Sequence, residues 1–281
     1  MATAKITLPE DLGSKSLLMF DDLVSKGKLF YSESKSDIVS HNGFEFEFRI
    51  SPALKRKPYL ERDDPKRTAD KGPFLTPDPD FVVAQPQTQD LNFVDVEAAR
   101  AVMIALKPTL GPQLMIYNCG VDAGSSQGHK HVQIFPQPTH FSLYPQKATS
   151  ENGKRQINST IAGVPNLHFV LRLPQAATHE QACHSLERLV SAAREIATNY
   201  GERSDYNVIM AEDWICVVPR RLVGKDGVGA NGAGMVGLVW LRDQTERDGW
   251  DSFGLTDHLV QLGVSRTCVP RRFNSSARIP K

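Results

Sequence analysis

Cysteine is scarce in this chain of 281 residues. The four present, Cys119, Cys183, Cys216 and Cys268, form no Cys-x-x-Cys pair. That spacing argues against a structural zinc site and against a disulfide framework, and it fits a reducing, intracellular compartment. Long apolar runs are missing too. No stretch approaches the ~20 residues a membrane span needs, and no secretory h-region is visible, so no membrane partner is expected. Charge of one sign is lacking: 33 Lys and Arg oppose 32 Asp and Glu, a formal net charge of +1. Bulk electrostatics therefore gives no argument for nucleic acid. A Walker lysine pattern is absent as well.

What is there suits a folded enzyme, with 40% hydrophobic residues and length for one large domain or two small ones. Residues 16–26 form a short amphipathic stretch. Phe44, Phe46 and Phe48 alternate with Glu45 and Glu47, the period-2 pattern of a strand with its aromatics inward and its acids outward. Residues 52–79 are rich in Pro and charge and read as loop. Their basic run Lys55-Arg-Lys57, with Arg62, Lys66 and Arg67, is either a polyphosphate contact or a solvated face. A helix is expected over 95–107, closed by Pro108, and a second over 180–200 with Leu186, Leu189, Val190, Ala193, Ile196, Ala197 and Tyr200 in one stripe. Residues 145–162 read as loop, and His140 just before them as a surface residue. His168, in an alternating strand, and His184, on the second helix, read as structural. Residues 206–210 and 214–218 should pair as a hairpin around Glu212-Asp213, and 251–262 reads as one short helix. The six glycines between 224 and 237 suit either a nucleotide-contacting turn or a flexible loop.

Most of the chemistry lies in residues 118–136, Asn-Cys-Gly-Val-Asp-Ala-Gly-Ser-Ser-Gln-Gly-His-Lys-His-Val-Gln-Ile-Phe-Pro. A strand beginning near His129 would set His129, His131 and Gln133 on one face. Gly124, Ser125, Ser126, Gln127 and Gly128 form a small, flexible run suited to turning backbone N–H groups toward an anion. A neutral imidazole can attack phosphorus through one nitrogen while a carbonyl holds the other, and it leaves readily in a second step. His131, centred in the stripe, is the nucleophile candidate, with His129 and Gln133 flanking it to position phosphate oxygens. A carboxamide at 133 binds without titrating, which favours transfer to an anionic acceptor over hydrolysis. His-x-His alone would fit metal ligation or half-buried polar residues equally well.

Asn118-Cys-Gly, Gly124-Ser-Ser-Gln127 and His129-Lys-His-Val-Gln133 resemble the signature of the fungal diadenosine tetraphosphate phosphorylases, or ATP adenylyltransferases, of the histidine triad superfamily. The segments Ile38 to Pro58, Gly72 to Asp80, Tyr206 to Met210, Trp214 to Arg220 and Asn231 to Gly237 resemble the same family, giving coverage from about 15 to 264. The resemblance implies an α+β fold with a histidine triad-like antiparallel sheet flanked by helices. It implies a catalytic amino-terminal part, 15–175, and a carboxy-terminal part, 176–264; residues 265–281, basic, Pro- and Ser-containing and without periodicity, do not resemble the family and read as a disordered tail.

The activity implied is transfer of an adenylyl group from diadenosine tetraphosphate to phosphate, giving ADP and ATP reversibly through an adenylyl-histidine. His131 matches the nucleophile, with His129 beside it, and Gln133 matches the phosphate contact. Asn118 matches a nucleotide contact, Gly124, Ser125, Ser126 and Gln127 the phosphate cradle, and Asn231, Gly232 and Ala233 a nucleotide-contacting turn. Lys57, with Lys55 as the alternative, matches a basic substrate contact. Dinucleoside polyphosphates, ATP, ADP and phosphate are the implied partners. A divalent cation such as Mg2+ would travel with the nucleotide, and no protein metal ligand set is visible. The expected location is the cytoplasm, with the nucleus as alternative. A monomer is the expected assembly. The family normally carries about two further strands where this chain runs directly from Val83 to Gln87. That departure sets two alternatives beside a phosphorylase: a catalytically impaired nucleotide-binding protein, and a dinucleoside polyphosphate hydrolase.

Overall fold

The computed structural model describes residues 6–29, 31, 33–56, 65, 89–149, 156–201 and 205–266. Lys57, most of the basic run, the 83–87 junction, residue 268 and nearly all of the tail lie outside them.

Three strands are apolar on both faces, as a buried sheet requires: β3 (Gln113–Cys119), β6 (Tyr206–Met210) and β7 (Trp214–Pro219). With β4 (Val132–Pro136) and β5 (Phe169–Arg172) they form an antiparallel sheet in the order β4-β3-β6-β7-β5, the β6–β7 hairpin included. Two helices cover one face. α2 (Phe93–Leu110) places Val96, Ala99 and Met103 against Met115 and Tyr117, while α3 (His179–Tyr200) places Leu186, Leu189 and Ile196 against Phe169, Leu171 and Val217. Both open with a capping box, Asn92 with Asp95 and Thr178 with Gln181, so their first turns have acceptors for the orphan amides.

The other face carries Leu114, Ile116, Ile209, Cys216 and Val218, and packs beneath a small sheet. There β1 (Ser36–His41) pairs antiparallel with β2 (Phe44–Ile50), and β10 (Leu238–Leu241) joins β2 in parallel. Phe44, Phe46 and Phe48 are buried as the alternation predicts, and each contributes about 1.5–3 kcal/mol by leaving water. Trp250 meets Phe46 and Phe48 edge-on from α5 (Gln244–Phe253). α1 (Leu12–Ser25) lies outside, against α2. Among the described residues no helix is long and apolar enough to cross a membrane.

Several readings are corrected. Pro108 does not close α2, because a proline in the last turn removes only one amide; the helix runs to Leu110 and ends at Gly111, whose N–H reaches the Lys107 carbonyl. The expected helix over 251–262 is two, since Gly254, at φ 76°, ends α5 and starts α6 (Leu255–Leu262). Glu47 is buried, not outward. Its Oε1 accepts from Arg49 Nε (2.6 Å) and Ser36 Oγ (2.7 Å), and His140, exposed as expected of a surface residue, brings Nε2 to 3.2 Å. The glycine-rich stretch is ordered into a β8 (Gly224–Lys225) and β9 (Val228–Gly229) hairpin and a one-turn α4 (Gly232–Met235). His168 is a satisfied core histidine: Ile161 N–H donates to Nε2 at 3.2 Å, so Nδ1 carries the proton and meets the Asn166 carbonyl at 2.9 Å.

Candidate active site

The histidine stripe forms, although its strand starts later than the sequence suggests. β4 runs from Val132, and His129 makes only a single β-bridge before it. The alternation nevertheless holds from Lys130 onward. Lys130 faces α2, where Nζ lies 2.7 Å from Asp95 Oδ2 and 2.9 Å from the Asp90 carbonyl. Val132 and Ile134 pack toward the same side, and Phe135 toward the other. His131 and Gln133 share Phe135's face. The two imidazoles stand with ring centroids 6.0 Å apart and planes at 88°. His129 is 6% exposed, and burial lowers its pKa, which keeps the ring neutral near pH 7.

The pairing of Ile116 with Gln133 and Tyr117 with Val132, carried one step further, sets His131 level with Asn118 on β3. Asn118 lies opposite Asn207 on β6, on the same face. Its Oδ1 accepts from Asn207 Nδ2 at 2.8 Å and from Gly232 N–H at 2.9 Å. Two donors on one oxygen fix the orientation of the amide. The following turn, 120–124, folds back so that Gly124, at φ 86°, touches Asn231; a Cβ there would stand 2.9 Å from Asn231 Cα. Ser125 and Gln127 are buried, with Ser125 Oγ donating to the Gln127 carbonyl at 2.9 Å and Gln127 Nε2 reaching Ser126 Oγ at 3.4 Å.

The structure thus brings Asn118, the 124–127 run, Asn231, Gly232 and Ala233 to one end of the sheet, beside the edge strand that carries His131 and Gln133. It also changes what several of them offer. The Gly124 and Ser125 amides donate to the Val121 and Gly120 carbonyls, Gly232 N–H to Asn118, and Ala233 N–H to Asn231 Oδ1 at 3.0 Å. These four amides brace the turns, and for Gly124 and Ser125 this corrects the reading that the run turns all its N–H groups toward an anion. Lys55 pairs with Asp243 at 2.8 Å, and Lys57 lies outside the described residues.

Sequence reasoning assigned no role to three residues. Asn207 and Arg220 are both fully buried here, and Lys130, between the histidines, ties that segment to α2. The signal was a polar residue inside or just past a run of apolar ones: Asn118 after residues 114–117 in β3, Asn207 in β6, and Arg220 just beyond β7. No group of three or more His, Cys, Asp or Glu among the described residues could hold a metal ion.

An α+β sheet with a His-x-His-x-Gln strand at its edge and small-residue turns at the adjoining strand ends defines a histidine triad-like nucleotidyltransferase scaffold. Residues 84–148 match the Ap4A phosphorylase N-terminal domain and residues 162–265 the ATP adenylyltransferase C-terminal domain, together more than half of the chain. The chain belongs to the Ap4A phosphorylase, or ATP adenylyltransferase, family. It is 25% identical over 298 residues to diadenosine 5',5'''-P1,P4-tetraphosphate phosphorylase 2 of Saccharomyces cerevisiae, covering 86% of this chain and 89% of the relative. Protein APA1 of the same yeast is 29% identical over 178 residues, 57% of this chain and 55% of its own length. The fold matches crystal structures of yeast Ap4A phosphorylase Apa2 in complex with AMP (23% identity, 92% of this chain, 98% of that chain) and with Ap4A (22%, 92% and 99%), each with a TM-score of 0.69.

Proposed function

We propose that this protein is a diadenosine tetraphosphate phosphorylase that moves an adenylyl group to inorganic phosphate, releasing ADP and ATP, and runs the same exchange in reverse. The observation that carries the reading is the placement of His131: beside a buried neutral histidine, in line with Gln133, and level with the junction where Asn118, Gly124 and Asn231 meet.

In the proposed reaction His131 attacks the α-phosphorus of the dinucleotide. The bond to the bridging oxygen breaks and ATP departs, leaving AMP on the imidazole; phosphate then attacks the same phosphorus, forms ADP and returns the free histidine. Gln133 donates to a non-bridging oxygen whose charge grows in the transition state, with Ser126 and the remaining amides of the 126–128 run as further donors. Neutral His129 holds a phosphate oxygen without adding charge. Asn118, with its oxygen held by two donors, turns its NH2 toward the nucleotide. A divalent cation would come bound to the polyphosphate and offset its charge. We further propose a cytoplasmic location.

The test is purified protein with diadenosine tetraphosphate and Mg2+, with and without phosphate, followed by separation of nucleotides. Equal, phosphate-dependent ADP and ATP are expected, and radiolabelled adenylyl should be trapped on the wild type but not on His131→Asn, which should still bind nucleotide. Cleavage independent of phosphate would make it a hydrolase. One observation favours a binding-only reading: the alignment with the first yeast relative, 298 residues, is longer than this 281-residue chain, so that relative carries residues this chain lacks. Nucleotide binding by calorimetry without products would establish it.

A further inference from the structure

A guanidinium with no exposure to solvent sits where the phosphate-side and nucleotide-side turns converge, and it donates to four backbone carbonyls and to Asn207. Arg220 Nη2 donates to the Ala230 and Leu222 carbonyls, both at 2.8 Å. Nε donates to the Leu262 carbonyl at 3.2 Å, and Nη1 to Asn207 Oδ1 at 2.7 Å, with the Ala123 carbonyl at 3.5 Å. Asn207 passes the connection on, because its Nδ2 donates both to the Ala123 carbonyl at 2.7 Å and to Asn118 Oδ1 at 2.8 Å. Ala123 immediately precedes the 124–127 run and Ala230 immediately precedes Asn231. One side-chain pair therefore grips Ala123 in the first turn and Ala230 in the second, and sets the orientation of the Asn118 amide as well.

We propose that Arg220 and Asn207 are positioning residues that clamp the phosphate-side turn at 120–128 to the nucleotide-side turn at 230–233, fixing the gap into which the nucleotide fits; this rests on the function proposed above. Core stability alone does not call for this arrangement, since burying a guanidinium is costly and apolar side chains would fill the space at lower cost. Burial pulls the Arg220 pKa down to about 9, against the pull of Asp122 and Asp205, so it remains a cation at pH 7. The planar fork explains why arginine serves: its donors reach carbonyls in several directions from one rigid plane, whereas a lysine is a point.

Two variants test the clamp, Asn207→Ala and Arg220→Lys, with Val217→Ala as a control for lost core packing on β7. Hydrogen exchange is read at 120–128 and 230–235 together with steady-state kinetics on diadenosine tetraphosphate. Asn207→Ala should speed exchange in both turns by about tenfold or more, the factor that corresponds to ~1.4 kcal/mol. KM should rise about tenfold with a smaller change in kcat, as expected when binding geometry is loosened rather than the chemistry. The double variant should raise KM no further than the worse single, because both residues act through one connection. Val217→Ala should lower the melting temperature and leave KM unchanged. Faster exchange in one turn only, or variants that lose stability while keeping the parent KM, would overturn the clamp. Should Arg220→Lys fail to fold, Asn207→Ala alone decides. Should the parent show no nucleotide binding or turnover, the functional reading fails, and the exchange experiment still decides whether the two turns are clamped.

Discussion

Lys130→Met should weaken both stability and catalysis although the side chain points away from the reaction. Lys130 lies between the two histidines and turns to the opposite side, where its side chain is 6% exposed and its Nζ meets Asp95 Oδ2 at 2.7 Å and the Asp90 carbonyl at 2.9 Å. Removing one partner of a buried pair costs about 3–5 kcal/mol when the other is left uncompensated. Asp95 is 23% exposed and keeps the Asn92 N–H at 2.8 Å as part of its capping box. The loss should therefore be nearer ~2 kcal/mol, partly offset by methionine keeping the apolar stem packed. At about 2–4 °C per kcal/mol for a chain of this order of size, the melting temperature should fall by about 4–8 °C. A double-mutant cycle with Asp95→Asn, which retains an acceptor for the cap, should give a coupling of about 1–2 kcal/mol. The turnover number should drop at least ~10-fold, since releasing the backbone between His129 and Val132 costs attack geometry. Coupling below ~0.3 kcal/mol, or an unchanged turnover number in a destabilised variant, would refute the idea that the α2 tether holds the histidines in place.

The remaining predictions concern the turns and the core. Gly124→Ala must hold alanine at φ 86° with its Cβ 2.9 Å from Asn231 Cα, so it should lose about 1–3 kcal/mol and bind nucleotide more weakly; parent-like stability and KM would contradict the contact. Asn118→Ala removes the acceptor shared by Gly232 N–H and Asn207, a loss of about 2–4 kcal/mol, whereas Asn118→Asp keeps an acceptor but sets a carboxylate toward polyphosphate. Alanine should therefore be worse in thermal melts and aspartate worse in nucleotide calorimetry, and the same ranking in both assays would refute the assigned orientation. His168 is buried with its pKa lowered from 6.5 to about 4, chiefly by desolvation. The unfolded chain takes up the proton first, so the stability it contributes is complete above pH 6.5 and is lost as pH falls toward 4, on the order of 3 kcal/mol. His168→Gln, which can accept from Ile161 and donate to Asn166 without titrating, should flatten that limb in denaturation curves between pH 7 and 4; an unchanged slope would place the loss elsewhere.

Local patterns made much of the molecule readable. The Phe44-Phe46-Phe48 alternation, the α3 stripe with its Thr178 cap, and the β6–β7 pair around Glu212-Asp213 each follow from side-chain period and turn chemistry within a dozen or so residues. The His129, His131 and Gln133 stripe was readable for the same reason, and the flanking 124–128 run is what weighted its reading toward phosphate chemistry. Glu47 could not be read this way, because its burial depends on Arg49, Ser36 and His140, and His140 is far away in sequence. Nor could the engagement of the Gly124, Ser125, Gly232 and Ala233 amides, which follows from how the turns close and dock.

The sequence by itself determined the main strands and helices, and the short run that holds the His-x-His-x-Gln stripe beside small residues, because periodicity and side-chain chemistry act over neighbouring residues. Only the tertiary structure decided that Asn118, Asn207 and Arg220, polar residues in or just beyond largely apolar strands, lie on one face and join two distant turns. The physical reason is the register of the antiparallel sheet: it brings residues about ninety positions apart within hydrogen-bonding distance, and no local pattern encodes that alignment.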